Sequence, residues 1–284
     1  MRRLTCIILL LVAHVLVGGC ATMAVAPVAA IAYKGATKAA DASRPITDSE
    51  EYYVGRAVAA RILTKYKLSQ DAKLTEYVNE VGETVARKST RPNPFRGYHF
   101  AVLDTEEINA FACPGGIIFV TRGLITTCKN EDQLAAVLAH EVAHVANKDG
   151  INSISQARWT QVFTAMGTEA ARQYGGVAGN LVTLFEGSID DVFKTIVVNG
   201  YSRSAEEAAD AAAVTELTRA GYDPTALVAV LTTMEAKGKG ASGGIFKTHP
   251  PTSERLAKVK AIACEAAPTK GEAIRAKRFK EMVS

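Results

Sequence analysis

His140-Glu141-Val142-Ala143-His144 places two imidazoles four residues apart with a carboxylate between them. On a helix, positions i and i+4 share a face, with Cβ atoms about 5–6 Å apart. Both rings can therefore reach one zinc ion through bonds of roughly 2.0–2.1 Å, and Glu141 stands beside the coordination position they leave open. From there a carboxylate can take a proton from zinc-activated water, which is the chemistry of a hydrolase. Two histidines leave a catalytic zinc one protein ligand short. The segment Ser202-Arg203-Ser204-Ala205-Glu206-Glu207-Ala208-Ala209-Asp210 offers Glu206 and Asp210, four apart on one helix face, with Glu207 turned about 100° away. Glu206 is expected on the zinc, one ion per chain. Asp210 is expected to accept a ligand histidine's free ring N–H and fix its orientation. Alanines at 205, 208, 209, 211, 212 and 213 keep this helix slim, so that the metal helix could approach closely.

Those groups need helices to hold them. Asn130 as a cap, acids at Glu131 and Asp132, and Leu134, Val137, Leu138, Val142 and Val145 at helical spacing predict a largely buried helix from residue 131 to a stop at Gly150. A second helix is predicted from Ser202 or Ser204 to a stop at Gly221. Two further helices are expected between Asp48 and Lys88, ended by Arg91-Pro92-Asn93-Pro94. Residues 98–103, 109–113 and 116–121 read as strands, the last two separated by the Pro114-Gly115-Gly116 turn signal. A short helix at 122–129, a mostly helical stretch from 151 to 200, and helical segments beyond Pro224 on either side of a loop at 237–244 complete the pattern.

The chain has 284 residues, 48% hydrophobic and 22% charged, which fits one globular domain with appendages. Arg2 and Arg3 precede an apolar run from Leu4 to Val17, and Val17-Gly18-Gly19 precede Cys20. A charged start, a short apolar stretch and small residues before a cleavage point describe a secretory signal, and small residues before a cysteine resemble a lipobox. The expected organisation is a leader at 1–19, a lipid-anchored tether at 20–47 with the lipid on Cys20, and a domain at 48–284. Ala21 after the cysteine favours the outer membrane of a bacterial envelope over the inner one, by resemblance to known lipoproteins. Loss of Arg2 and Arg3 lowers the formal charge from +4 to +2, which gives no electrostatic case for nucleic acid. Cys113, Cys128 and Cys264 would remain in an oxidising compartment, where one disulfide and one free thiol are possible.

His140-Glu141-x-x-His144, Glu206-x-x-x-Asp210 and Thr248-His249-Pro250 ahead of Arg255 resemble the zinc metallopeptidases typified by the CAAX prenyl proteases, HtpX, BepA and LoiP. Asn109-Ala110-Phe111, Pro114-Gly115-Gly116, Tyr201-Ser202-Arg203 and Gly221-Tyr222-Asp223-Pro224 extend that resemblance over roughly residues 50 to 262. It implies an α+β, mainly helical gluzincin-type metallopeptidase domain, with a small antiparallel sheet beside the zinc helix and endopeptidase activity. The chain shows no set of membrane-spanning helices, and too little sequence follows Arg255 for a helical-repeat tail, so the short lipoprotein branch represented by LoiP is the nearest pattern. The resemblance places His249 near the metal, either steadying the oxyanion or filling the open position of a latent form. Arg255 would support its loop. If Asn109, Ala110 and Phe111 form a sheet edge, an extended substrate could add to them as a further strand. Residues 151–200, with Phe163, Leu181, Leu184, Phe185 and Phe193, could cover the cleft. The expected function is cleavage of misfolded or unassembled envelope proteins; the alternative is a lipid-anchored chaperone or scaffold that binds them without cutting.

Overall fold

The computed structural model describes residues 45–154, 189–238, 244–250, 253–263 and 270–283. The expected leader, Cys20, the tether up to residue 44, Cys264, and Phe163, Leu181, Leu184 and Phe185 of the expected cover lie outside the described residues. The order is α1 (Asp48–Ile62), α2 (Ala72–Ala86), β1 (His99–Leu103), β2 (Ala110–Cys113), β3 (Ile117–Thr121), α3 (Arg122–Thr127), α4 (Glu131–Ala146) and α5 (Asp149–Asn152). A π-helical turn (Thr195–Asn199) then leads to α6 (Arg203–Ala220), α7 (Thr225–Gly238), α8 (Ile245–Thr248), α9 (Ser253–Ala263) and α10 (Glu272–Val283).

Helix α4, which carries the histidine pair, is the axis of the domain, and every residue from Glu131 to Val145 is buried. Asn130 caps it by accepting the Gln133 N–H at 2.9 Å. The first-turn acids are buried too, where an unpaired charge would cost several kcal/mol. Each is paired. Glu131 accepts hydroxyls from Tyr77 at 2.9 Å and Tyr222 at 3.1 Å and pairs with Arg278, while Asp132 pairs with Arg275 at 3.0 Å. Helix α10 is thereby fastened to the front end of α4. Along the other flank runs α6, whose Ala209 and Ala213 are fully buried, so the slim face read from the alanines is the one that packs against α4.

The sheet runs in the order β1-β3-β2. The hairpin β2–β3 is antiparallel, as the turn signal predicts, but β1 pairs parallel with β3, with His99 opposite Ile117 and Leu103 opposite Thr121. The sheet is therefore mixed rather than wholly antiparallel. Alternation along residues 98–103 reports which face is buried and carries no information about the direction of pairing. Because β1 takes the far side of β3, β2 is left as an edge.

Helix α1 starts at a capping box in which Thr47 accepts the Glu50 N–H at 3.3 Å and Glu50 accepts the Thr47 N–H at 2.9 Å. It crosses the Pro114–Gly116 turn at Gly55, where a Cβ would lie 1.8 Å from the Pro114 carbonyl oxygen. Glu51 reaches from the same helix to accept the Gly115 N–H at 3.0 Å. The turn that ends β2 is thus seated by a helix near the start of the described chain.

Two expectations need correction or completion. Helix α4 stops at Ala146, four residues before Gly150, and the chain turns through Lys148 in the left-handed region at φ 59°. A bulky residue adopts that conformation only when its surroundings impose it; here the turn delivers Asp149 to the site. Cys113 and Cys128 are both buried free thiols.

Candidate active site

His140 and His144 stand one turn apart on α4, with Nε2 atoms facing each other at 3.1 Å. Glu206, in the first turn of α6, brings Oε2 to 3.4 Å from His140 Nε2 and Oε1 to 3.4 Å from His144 Nε2. His249 follows α8 directly, and its Nδ1 lies 2.9 Å from Glu206 Oε1 and 3.3 Å from His140 Nε2. One ligand atom from each of these four buried residues falls within 4.8 Å of the others.

The outer ring nitrogens decide what the inner ones can be. His140 Nδ1 lies 3.0 Å from Asp210 Oδ1, and His144 Nδ1 lies 2.7 Å from Asp149 Oδ2. A carboxylate partner keeps the proton on Nδ1, so both Nε2 atoms present lone pairs to each other. Two buried acceptors face to face repel unless a cation lies between them. Ligand bonds of about 2.0–2.1 Å meeting near the tetrahedral angle separate their ligand atoms by about 3.3 Å; the separations here run from 2.9 to 3.4 Å, with the two histidines facing different Glu206 oxygens. The residues fit one zinc ion.

With no ion between them, the surrounding carboxylates draw protons to these rings instead. Burial opposes charge on His140, but Asp210 and Glu206 override it and raise its pKa to about 10. Burial likewise opposes charge on His144, and Asp149 and Glu206 raise it. Glu206 is pushed up by burial and brought well below the usual carboxylate range by His249, His140 and His144. The cluster is built to hold positive charge.

Glu141 is buried beside this cluster, with Oε1 3.8 Å from His249 Nε2 and an Oε2 that has no hydrogen-bond partner. Arg255, 2% exposed, grips Asp210 with Nε and Nη2 at 2.8 Å each, lies 2.8 Å from Glu206 Oε2, and donates to the Pro250 carbonyl at 3.1 Å. One guanidinium thus ties Glu206, Asp210 and the turn that carries His249. Glu207 points away to Lys258 at 2.8 Å.

Asn109 opens the edge strand, donating its N–H to Thr121 Oγ1 at 3.0 Å and accepting the Ala110 N–H on its own side chain at 3.0 Å. Thr121 returns a backbone bond to Asn109, which makes 109–121 a hydrogen-bonded pair and turns the main-chain groups of Ala110 and Ala112 outward. Phe111, between them, is fully buried. Next to His140 and Glu141, Val137, Leu227, Val230, Leu231, Met234 and Ile245 line an apolar pocket.

Sequence spacing misses Asp149 as a partner of His144, because the helix was expected to continue through it; the only signal was an acid five residues past the second histidine. Tyr201 is a second omission. Its ring stacks on that of His144 with centroids 4.3 Å apart and an interplanar angle of 27°. Burial first, and then the Glu141 carboxylate, hold its phenol well above the ordinary value. Cys20 lies outside the described residues, and His99 is an exposed strand residue.

A family model described as Peptidase family M48 matches residues 72–263. The chain is 28% identical over 228 residues to the Beta-barrel assembly-enhancing protease of Escherichia coli (strain K12), covering 76% of this chain and 44% of that protein. It is 26% identical over 240 residues to a Protease HtpX homolog of Salinibacter ruber, covering 75% and 83% of the two chains. The Mitochondrial metalloendopeptidase OMA1 of Schizosaccharomyces pombe is 30% identical over 153 residues, covering 53% of this chain and 42% of its own. The match therefore spans less than half the length of the assembly-enhancing protease.

Proposed function

This chain belongs to peptidase family M48, and from that premise we propose that it is a zinc-dependent endopeptidase of the bacterial cell envelope. The observation that carries the proposal is the meeting of His140, His144 and Glu206 around one point, with the Glu141 carboxylate beside it. Zinc, when bound there, supplies a Lewis acid that polarises a peptide carbonyl and makes water easier to deprotonate.

Glu141 takes a proton from the attacking water and returns it to the leaving amide nitrogen, so that the scissile bond breaks without expelling an amide anion. Its buried, unpaired Oε2 is available for that transfer. Asp210 and Asp149 hold the two ligand rings in the tautomer that offers Nε2 inward. The outward carbonyl of Ala110 and the outward N–H and carbonyl of Ala112 take an extended substrate as an added strand, a mode that selects unfolded segments over particular sequences.

His249 is proposed as the fourth ligand of a resting form, because its Nδ1 is aimed into the cluster. Substrate would have to displace it. Misfolded or unassembled outer-membrane proteins are the proposed substrates, in line with the name of the Escherichia coli relative. The charged start, the apolar run and Val17-Gly18-Gly19-Cys20 support export, lipidation of Cys20 and an outer-membrane address; no helix among the described residues is long and apolar enough to cross a membrane.

The test compares purified zinc-loaded wild type and Glu141→Gln on an unfolded β-barrel protein. Cleavage by the wild type alone, with equal zinc in both, is expected. Equal cleavage by both removes the peptidase proposal, and equal client binding without cleavage by either favours a lipid-anchored scaffold.

A further inference from the structure

We propose that Tyr201 is a further catalytic residue, whose hydroxyl donates a hydrogen bond to the scissile carbonyl oxygen as negative charge develops on it. The inference rests on the peptidase function above. Three features carry it.

The first is an unmet donor. The Tyr201 hydroxyl is buried and has no hydrogen-bond partner. A buried hydroxyl left unpaired costs roughly 1–3 kcal/mol, so natural sites rarely keep one unless something else supplies its acceptor. The second is position. A Cβ built on Gly150 would lie 3.6 Å from that hydroxyl and 3.1 Å from Pro114 Cγ, so Gly150 borders both the hydroxyl and the residue that directly follows the edge strand β2. A substrate strand added along Ala110–Cys113 passes that end. Glu141 Oε2, at the same site, is likewise a buried polar atom without a hydrogen-bond partner.

The third feature is that Tyr201 is fixed before substrate arrives. Gly200 precedes it at φ +82°, and a Cβ there would sit 2.3 Å from the Thr248 carbonyl oxygen, so the backbone is pressed against the turn that carries His249. The ring is stacked on His144, 4.3 Å between centroids. A donor held by packing needs no reorganisation when charge appears, which is where such groups gain their effect. His249, the other side chain suited to this duty, has Nδ1 turned into the ligand cluster.

In the reaction, the water oxygen bonds to the carbonyl carbon and the C=O π pair moves onto oxygen, where the phenol O–H bonds to it. The tyrosine proton is not transferred. When the pair returns, the C–N bond breaks and Glu141 delivers the water's proton to nitrogen.

Tyr201→Phe removes only the hydroxyl and keeps the ring on His144; Tyr201→Leu removes both. With full-length zinc-loaded protein and a peptide the wild type cleaves, Tyr201→Phe should lower kcat by about 100- to 1000-fold, with KM within about threefold and zinc content unchanged. Its affinity for a phosphinic pseudo-peptide, a tetrahedral anionic mimic, measured by calorimetry, should fall by a similar factor. Tyr201→Leu should in addition lose zinc. Near-wild-type kcat in Tyr201→Phe, a defect confined to KM, loss of zinc from Tyr201→Phe, or unchanged affinity for the mimic would each overturn the assignment while leaving the peptidase function intact. If the zinc-loaded wild type cleaves no peptide, the function itself fails and this inference falls with it.

Discussion

Arg255 is the side chain whose removal should be most costly to the site. It is 2% exposed and joins Asp210, at 2% exposure, through two parallel bonds of 2.8 Å, while also lying 2.8 Å from Glu206. Replacing it with methionine keeps the apolar length of the side chain but strands two buried carboxylates. Breaking a buried ion pair from one side costs about 3–5 kcal/mol, because the remaining charge has neither partner nor water. For a domain of this size, with a urea slope of about 3 kcal/mol per molar, the midpoint should fall by about 1–2 M. Arg255→Lys keeps the charge but loses the fork and should fall between. The exposed pair Arg203–Glu254, at 71% and 50% side-chain exposure, is the control, and breaking it should leave the urea midpoint unchanged. Urea unfolding of Arg255→Met, Asp210→Asn and the double variant measures the coupling directly. A double variant no more stable than the sum of the two single losses, or a single loss below about 1 kcal/mol, would refute the idea that Arg255 neutralises these carboxylates.

Asp149→Ala removes the carboxylate that faces His144 Nδ1 at 2.7 Å and should weaken zinc affinity about 10- to 100-fold in a competition titration, with the helical circular-dichroism signal unchanged. Unaltered affinity would show that the ring needs no such partner. His249→Ala should raise peptide cleavage if Nδ1 blocks the resting site, whereas a fall in kcat would assign the residue to oxyanion stabilisation instead. Glu216 is 2% exposed with neither oxygen bonded, and burial raises its pKa to about 8. Between its unfolded value near 4.5 and about 8 the folded state holds a proton that the unfolded state has released. Stability should therefore fall with rising pH across that window and level off above it, by on the order of 3–5 kcal/mol in all. Urea midpoints from pH 5 to pH 9 should show this slope in the wild type and a flatter one in Glu216→Gln; identical slopes would contradict it.

The parts of this protein legible in its sequence are those written within one or two helical turns. The i, i+4 spacing of His140 and His144, and of Glu206 and Asp210, follows from helix geometry alone. So do the cap at Asn130, the stop at Gly221 and the hairpin around Pro114-Gly115-Gly116, because each depends on local backbone preference. The alanines of α6 pointed to a close approach by the metal helix, and α4 is what packs there.

Tertiary packing decided the rest. The parallel pairing of β1, the early end of α4 at Ala146 and the left-handed Lys148 that brings Asp149 to His144 are set by contacts with distant segments. The same holds for the inward turn of His249 and for the grip of Arg255 on Asp210, 45 residues away in sequence. A residue's type and its neighbours specify which donors and acceptors it owns. Where those groups point depends on which surfaces exclude water around them, and only the folded chain sets that.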